Sequence, residues 1–216
     1  MKHIRIIPIL ALSVALSISA YAQKLTHKNN GDYVFTTIKA NPVTITKNQN
    51  ETGTCWCFAG ISFLESEAIK KGAPQDLDIA EMFVVSKSYQ GRAVKYVRYD
   101  GHIKFAEGSD MGDVLTVFRE YGLVPQSVMP GIQYNEKEHI HWELTEGLTG
   151  YIEAIAKNPN RKLSTAWLNG FNNIVKAYLG QAPSTFTVNG KEHTPKSYAQ
   201  SLNLNPDDII HTQSIL

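Results

Sequence analysis

The stretch that decides the fold is "KNQNETGTCWCFAG", Lys47 to Gly60, which holds both cysteines of the chain, Cys55 and Cys57, on either side of Trp56. Such a pair could be a disulfide, part of a metal site, or a nucleophile beside a packing residue. A disulfide needs facing Cβ atoms, and neither a helix nor a strand provides them at this spacing. Two thiolates without a further Cys or His at ligand spacing also fall short of a zinc shell. The pattern therefore favours the nucleophile and predicts no metal.

The apolar residues after the cysteines predict a helix that runs to about Lys71. They recur at helical spacing: Cys57, Ile61, Leu64, Ala68. Alternate residues on a helix point about 200° apart, so Cys55 faces away from the core if Cys57 faces into it. Thr52 or Thr54 is available to cap the first turn. At that position the free N–H groups and the helix dipole favour a thiolate, which is the nucleophilic form.

Composition and charge set the class of protein. The chain has 216 residues, of which 43% are hydrophobic and 19% charged, and these values are typical of a globular protein with one sizeable core or two small ones. The formal net charge is +1, without a basic cluster beyond the first residues. Because nucleic-acid binding needs a basic surface, that class of partner is excluded.

The first residues, "MKHIRIIPILALSVALSISAYAQ", are typical of a secretory signal peptide that is cleaved after Ala22. The alternative is a short membrane anchor, but Pro8, Ser13 and Ser17 interrupt the apolar run. We expect a protein that is exported to the periplasm or the extracellular space, with no membrane segment in its mature form.

The residues upstream of Cys55 complete a family pattern. "VTITKNQNETGTCWCFA", Val43 to Ala59, resembles the active-site signature of papain-like cysteine peptidases, which reads much like "VTPVKNQGSCGSCWAF". The resemblance implies that Cys55 is the nucleophile. It also implies that Gln49 and the backbone N–H of Cys55 form an oxyanion hole, which stabilises the negative charge that develops on the attacked carbonyl. Thr52 stands where the family has a cysteine, so the disulfide of many secreted members is absent.

Two later stretches point to one branch of that family. "DLDIAEMFVVSKSY", residues 76–89, resembles the second helical segment, and "EGSDMGDVLTVFREYGLVPQSVMPG", residues 107–131, looks most like the bleomycin hydrolase and aminopeptidase C branch. The pattern itself predicts a helix that Asp110 caps and Gly122 ends. Its predicted apolar face is Val114, Leu115, Phe118 and Tyr121. The resemblance places Gly108 and Ser109 at the substrate-binding cleft, with Ser109 in place of a second glycine.

The remainder of the chain stays helical in pattern. Residues 164–180 predict a helix with a Ser start and a Gly end, and Asn189-Gly190 predicts a turn before a short helix near Thr194-Pro195. In the bleomycin hydrolase branch a helical insertion of this kind separates the two halves of the fold. The N-terminal pattern and the resemblance together predict a signal peptide (1–22), an N-terminal linker (23–40), a nucleophile domain (41–135) and a helical insertion (136–216).

The general base is unknown from the sequence. The family supplies a His at the start of a strand and an Asn followed by Ser-Trp, and neither motif occurs here. His193 and His211 are the candidates. His193 is followed by Pro195 rather than by an apolar strand, and His211 is close to the end of the sequence. His139 and His141 lie in a polar stretch and are expected at the surface.

The sequence thus predicts an α+β papain-like fold of which this chain is the mainly α-helical nucleophile half, with the β-rich half apparently missing. The resemblance implies a secreted cysteine peptidase, of aminopeptidase type, that acts on peptides through a Cys thioester and needs no cofactor. By analogy with the branch, it also implies a homo-oligomer. The alternative is a non-catalytic remnant that binds a peptide or a partner without turnover.

Overall fold

The computed structural model describes residues 26–27, 35–160 and 162–212, which divide into two units between Asn41 and Pro42. In the first unit, strand β1 (Thr26–His27) pairs antiparallel with strand β2 (Phe35–Thr36). The predicted signal peptide, residues 1–22, lies outside the described residues. The division into four predicted segments stays a prediction.

The second unit is mainly helical, as the sequence predicts. Its helices are α1 (Cys55–Lys70), α2 (Glu81–Arg98), α3 (Met111–Tyr121), α4 (Trp142–Ala156), α5 (Ala166–Leu179) and α6 (Pro195–Ser201). A hairpin of β3 (Phe186–Val188) and β4 (Lys191–His193) precedes α6, and a short 3₁₀ helix (Pro206–Asp208) follows it. None of the helices in the described part of the chain is long and apolar enough to span a membrane.

Helix α1 forms where the apolar periodicity predicts it. Cys57, Ile61, Leu64 and Ala68 are all fully buried. This face packs against α2 and α3, so α1 lies on the core of the unit with its opposite face exposed. The predicted and observed C-terminal ends differ by one residue, because the helix ends at Lys70.

Helix α3 is bounded by the two residues that the sequence indicates. The Asp110 side chain accepts a hydrogen bond from the backbone N–H of Gly112 at 2.8 Å, and Gly122 follows the last turn with φ at +91°. A Cβ atom on Gly122 would lie 2.4 Å from the backbone of Pro195, so only glycine lets the start of α6 approach this closely. Tyr121, expected on the buried face, is 39% exposed, since it lies in the last turn of the helix.

The remaining helices complete the core around α2, against which both α4 and α5 pack. The hairpin turn has Asn189 at φ +50° and Gly190 at φ +76°, the left-handed conformations that tight hairpin turns require. At the start of α6, Thr194 and Ser197 form a reciprocal capping box. The predicted helix over residues 164–180, the turn and the short helix are confirmed.

Candidate active site

The two cysteines occupy opposite environments at the start of α1. Cys55 is the first residue of the helix and its side chain is exposed, whereas Cys57 is buried. The Cys57 thiol donates to the backbone carbonyl of Glu81 at 3.3 Å, and burial raises the pKa of this thiol well above its usual value. Cys57 is therefore held as a thiol in the core. Cys55 is the cysteine that a reagent or substrate can reach.

The side-chain cap expected from Thr52 or Thr54 at the start of α1 is not formed. Thr54 makes no side-chain hydrogen bond to the first turn, and its hydroxyl instead bonds to that of Thr52. Since the first N–H groups of a helix have no intrahelical partner, the N–H of Cys55 is available to an acceptor outside the helix. The Gln49 side-chain amide donates to the carbonyl of Thr52 at 2.7 Å. One of the two N–H bonds of Gln49 is thus engaged within this loop.

A cavity of about 770 Å³ opens beside Cys55. Its lining is largely apolar and comes from one face of α1, the start of α3 and the segment after the 3₁₀ helix, and it includes Phe63, Met111, Leu115 and Ile209. Ser109 and Asp110 line it as well. The cavity offers space for an apolar group next to the Cys55 thiol.

The loop before α3 is fastened to α2 by Arg92. One guanidinium nitrogen of Arg92 donates to three consecutive carbonyls, those of Ala106, Glu107 and Gly108, at 2.6, 3.2 and 3.0 Å. The guanidinium also lies 5.1 Å from the centre of the Trp56 ring. The predicted substrate-binding residues are consequently placed on a braced loop: Gly108 is exposed, and the Ser109 hydroxyl donates to Asp113.

His139 and His141 are buried, so their predicted position at the surface is wrong. Their exposed fractions are 8% and 0%. The backbone around them pairs with the loop before Cys55: Glu51 N–H donates to the His139 carbonyl, and His141 N–H donates to the Glu51 carbonyl, each at 3.1 Å. The alternation His139-Ile140-His141 is a strand-like signal that would have placed both rings on one side.

The carboxylate of Glu107 lies between the His141 ring and the loop before Cys55. Its Oε1 atom is 3.3 Å from Nδ1 of His141, and its Oε2 atom accepts a hydrogen bond from Gly53 N–H at 2.7 Å. Burial raises the pKa of Glu107, but His141 and the Gly53 N–H more than offset this and hold the pKa below its usual value. No sequence pattern pointed to Glu107, because these two contacts are with residues remote in sequence.

A buried charge cluster lies behind the same loop. The Nζ atom of Lys47 is 2.7 Å from Glu81, 2.7 Å from Asp78 and 3.1 Å from Glu65. Burial lowers the pKa of Lys47, but these carboxylates outweigh it and raise the pKa above its usual value. Burial raises the pKa of Glu81 to about 6, against the opposing charge of Lys47.

The two candidate bases are found in different places. His193 is buried between Phe186 and Tyr198 and lines a separate cavity of about 580 Å³, so the structure does not bring it to Cys55. His211 lines the Cys55 cavity. Within the described residues, no group of three or more His, Cys, Asp or Glu side chains is arranged to hold a metal ion.

No family model matches this sequence, and no curated protein matches it in a sequence search. A structural search matches the crystal structure of PepW from Lactobacillus rhamnosis HN001 (DR20), determined as the selenomethionine derivative. The TM-score is 0.54 at 19% sequence identity, and the match covers 79% of this chain and 46% of the PepW chain. The chain thus spans about half the length of PepW, and over that part the two share a related fold.

Proposed function

We propose that this chain carries the nucleophile part of an exported, papain-like cysteine peptidase with Cys55 as its nucleophile. The observation that carries the proposal is the contrast between the two cysteines: Cys55 is exposed at a helix start beside a cavity, and Cys57 is buried. The signature around Gln49 and Cys55 and the related peptidase fold of PepW support it. The mainly helical fold is consistent with part of a papain-like enzyme.

The chemistry follows from the residues around Cys55. Its sulfur attacks the carbonyl carbon of a peptide bond, so that the S–C bond forms while the C=O π bond becomes a negatively charged oxygen. The Cys55 N–H and the Gln49 amide are the donors for that oxygen. Collapse expels the amine, which takes up a proton, and leaves a thioester on Cys55. Water then hydrolyses the thioester and releases the acid and the thiol.

Expulsion of the amine requires a proton donor, which first serves as the base for the thiol. We propose that this base and its orienting residue come from a β-rich half that these 216 residues do not include. His211 is the competing candidate, because it lines the Cys55 cavity. His193 lines a different cavity and is set aside.

The proposed type of peptidase follows from the resemblance of residues 107–131 to the bleomycin hydrolase and aminopeptidase C branch. We propose an aminopeptidase that trims peptides from their N-termini, outside the cytoplasm, as a homo-oligomer by analogy with the branch. The braced loop at Gly108 and Ser109 would contact the substrate chain. No cofactor is required for this chemistry.

The alternative is a remnant that binds a peptide or a partner without turnover. The exposed apolar surface near Cys55 favours it, since Phe63 is 43% exposed and Ile210 is 89% exposed. A surface of this kind can bind an apolar partner whether or not Cys55 reacts.

The proposal is tested on purified residues 23–216. We expect a peptide-based, thiol-directed affinity probe to modify the protein far faster than the protein hydrolyses any peptide. Cys55→Ala should abolish the modification and Cys57→Ala should retain it. Probe attachment at Cys57, or no reaction above that of free cysteine, would contradict the peptidase and favour the remnant. Vigorous peptide cleavage that His211→Ala abolishes would show that the base is His211 and not a residue of the proposed β-rich half.

A further inference from the structure

Glu107 contacts the chain on both sides of Cys55. Its side chain accepts a hydrogen bond from the N–H of Gly53 at 2.7 Å, and its backbone carbonyl accepts one from the indole N–H of Trp56 at 2.9 Å. Gly53 precedes Cys55 by two residues, and Trp56 follows it directly. A single residue from a remote loop therefore holds the chain on either side of the proposed nucleophile.

The contact at Gly53 is close enough to dictate the residue there. A Cβ atom at position 53 would lie 2.8 Å from Cβ of Glu107 and 2.9 Å from its Oε2 atom. Arg92, which binds the Glu107 carbonyl, prevents the loop from moving away. The carboxylate is thus fixed against the backbone before Cys55.

His141 completes the arrangement from the other side. Its ring is fully buried, its Nδ1 lies 3.3 Å from Oε1 of Glu107, which also accepts from the Tyr89 hydroxyl, and its backbone N–H donates to the carbonyl of Glu51. The segment that carries the ring is therefore bonded to the same loop that Glu107 holds. In a close-packed interior the ring leaves the carboxylate little room to turn away from Gly53.

We propose that Glu107 and His141 form a positioning pair that holds the Gly53–Cys55 backbone so that the Cys55 N–H points at the substrate oxygen. This inference rests on the proposed function and adds the residues that orient its oxyanion hole. The pair touches neither the substrate nor the sulfur. Its effect is on geometry, since oxyanion donors stabilise charge only at hydrogen-bond distance from the oxygen.

A peptide aldehyde is the probe that isolates this effect. The Cys55 sulfur bonds to the aldehyde carbon, the C=O π bond opens, and the thiol proton ends on the oxygen, so the adduct forms without a leaving group. The adduct oxygen occupies the oxyanion position, and its affinity reports the donors. Iodoacetamide reacts with the same sulfur but develops no oxyanion, so its rate reports only the thiolate and its access.

Two substitutions of Glu107 separate the effect of its hydrogen bond to Gly53 from the effect of its charge. Glu107→Met removes the acceptor for Gly53, whereas Glu107→Gln keeps an acceptor oxygen and removes the charge. We expect Glu107→Met to weaken aldehyde binding about tenfold or more, while Glu107→Gln stays within about threefold of the wild type. His141→Leu should weaken binding in the same direction by a smaller factor. The iodoacetamide rate should change less than the aldehyde affinity in all three.

Ile152→Val, a truncation in the buried part of α4, is the control for a general loss of stability and should leave the aldehyde affinity unchanged. Equal losses of aldehyde affinity in Glu107→Met and Glu107→Gln would show that the charge of Glu107 matters rather than its position. Unchanged affinity in Glu107→Met would show that Glu107 does not orient the oxyanion donors. Either result overturns the inference. Unchanged binding in His141→Leu would remove His141 from it.

Hydrogen exchange at the Gly53 amide keeps the test independent of the proposed function. If the wild-type protein binds no aldehyde but alkylates normally, the peptidase proposal fails. Hydrogen exchange alone then tests whether the pair positions this backbone. Faster exchange at Gly53 in Glu107→Met than in Glu107→Gln supports the positioning pair, and equal exchange rates overturn it.

Discussion

The Nζ atom of Lys47 lies 2.7 Å from the Oε1 atom of Glu81, in the interior behind the loop that leads to Cys55. The carboxylate side chains of Glu81 and Glu65 are 2% and 1% exposed, and Lys47 is their shared counterion. The sequence motif around the proposed nucleophile is thereby joined to α2 through a buried ion cluster.

Lys47→Met should destabilise the protein strongly, because it leaves two buried carboxylates without a counterion. Breaking a buried ion pair on one side costs about 3–5 kcal/mol, and we expect a loss of this order at pH 7.5 in urea unfolding. The loss should shrink at pH 5. The pKa of Glu81 is raised to about 6 by burial, so the carboxyl binds a proton more readily in the folded state and needs no cation when neutral. The double variant, Lys47→Met with Glu81→Gln, should recover part of the lost stability. If Lys47→Met alone is as stable as the wild type at pH 7.5, the prediction is wrong.

His139 should make the folded state less stable as the pH falls. Burial, and then the neighbouring His141, lower the pKa of His139 from 6.5 to about 4. The unfolded chain therefore binds a proton at His139 before the folded chain does, and stability that is present above pH 6.5 is lost as the pH falls toward 4.

Urea unfolding at several pH values between 7 and 4 checks this, with His139→Phe as the variant. The difference in unfolding free energy between wild type and variant should shift in favour of the variant as the pH falls. The exposed His102, replaced by Asn, is the control and should leave the pH profile unchanged. Parallel profiles for wild type and His139→Phe would rule out His139 as the cause.

Alkylation should distinguish the two cysteines. We expect iodoacetamide to label Cys55 more than about tenfold faster than Cys57 in the folded protein, because Cys55 is exposed and Cys57 is buried and held as a thiol. Burial raises the pKa of the Cys57 thiol, which also donates to Glu81. Peptide mapping after brief labelling measures both rates, and urea should abolish the difference. Equal labelling of both cysteines in the folded state would contradict the exposed position of Cys55 and the buried position of Cys57.

Gly53→Ala should destabilise the protein by about 1–3 kcal/mol, since overpacking against a fixed neighbour carries this cost. The added Cβ would lie 2.8 Å from Glu107. Gly91→Ala is the matched control: position 91 is inside α2 with nothing within 4 Å of the added atom, and alanine there should raise stability by up to about 1 kcal/mol. Thermal or urea unfolding compares the two. Similar effects at both positions would show that the contact with Glu107 imposes no constraint.

The candidate site itself was only partly predictable. The exposure of Cys55 and the burial of Cys57 follow from helical periodicity, and the ends of α3 follow from Asp110 and Gly122. Gln49 was predicted from the family pattern, yet its hydrogen bond to Thr52 was not, because a side-chain amide has several acceptors within reach. His139 and His141 were misplaced because a polar stretch says nothing about which other segment will cover it.

What the sequence by itself determined is local: the start and face of α1, the caps of α3 and α6, and the turn at Asn189-Gly190. These depend on contacts within a few residues, where backbone geometry leaves few choices. Only the tertiary structure decided that Glu107 meets Gly53, 54 positions away, and that Asn50 bonds to His139, 89 positions away. Such pairings arise when distant elements bury a common surface, and the periodicity of one element carries no record of which partner covers it.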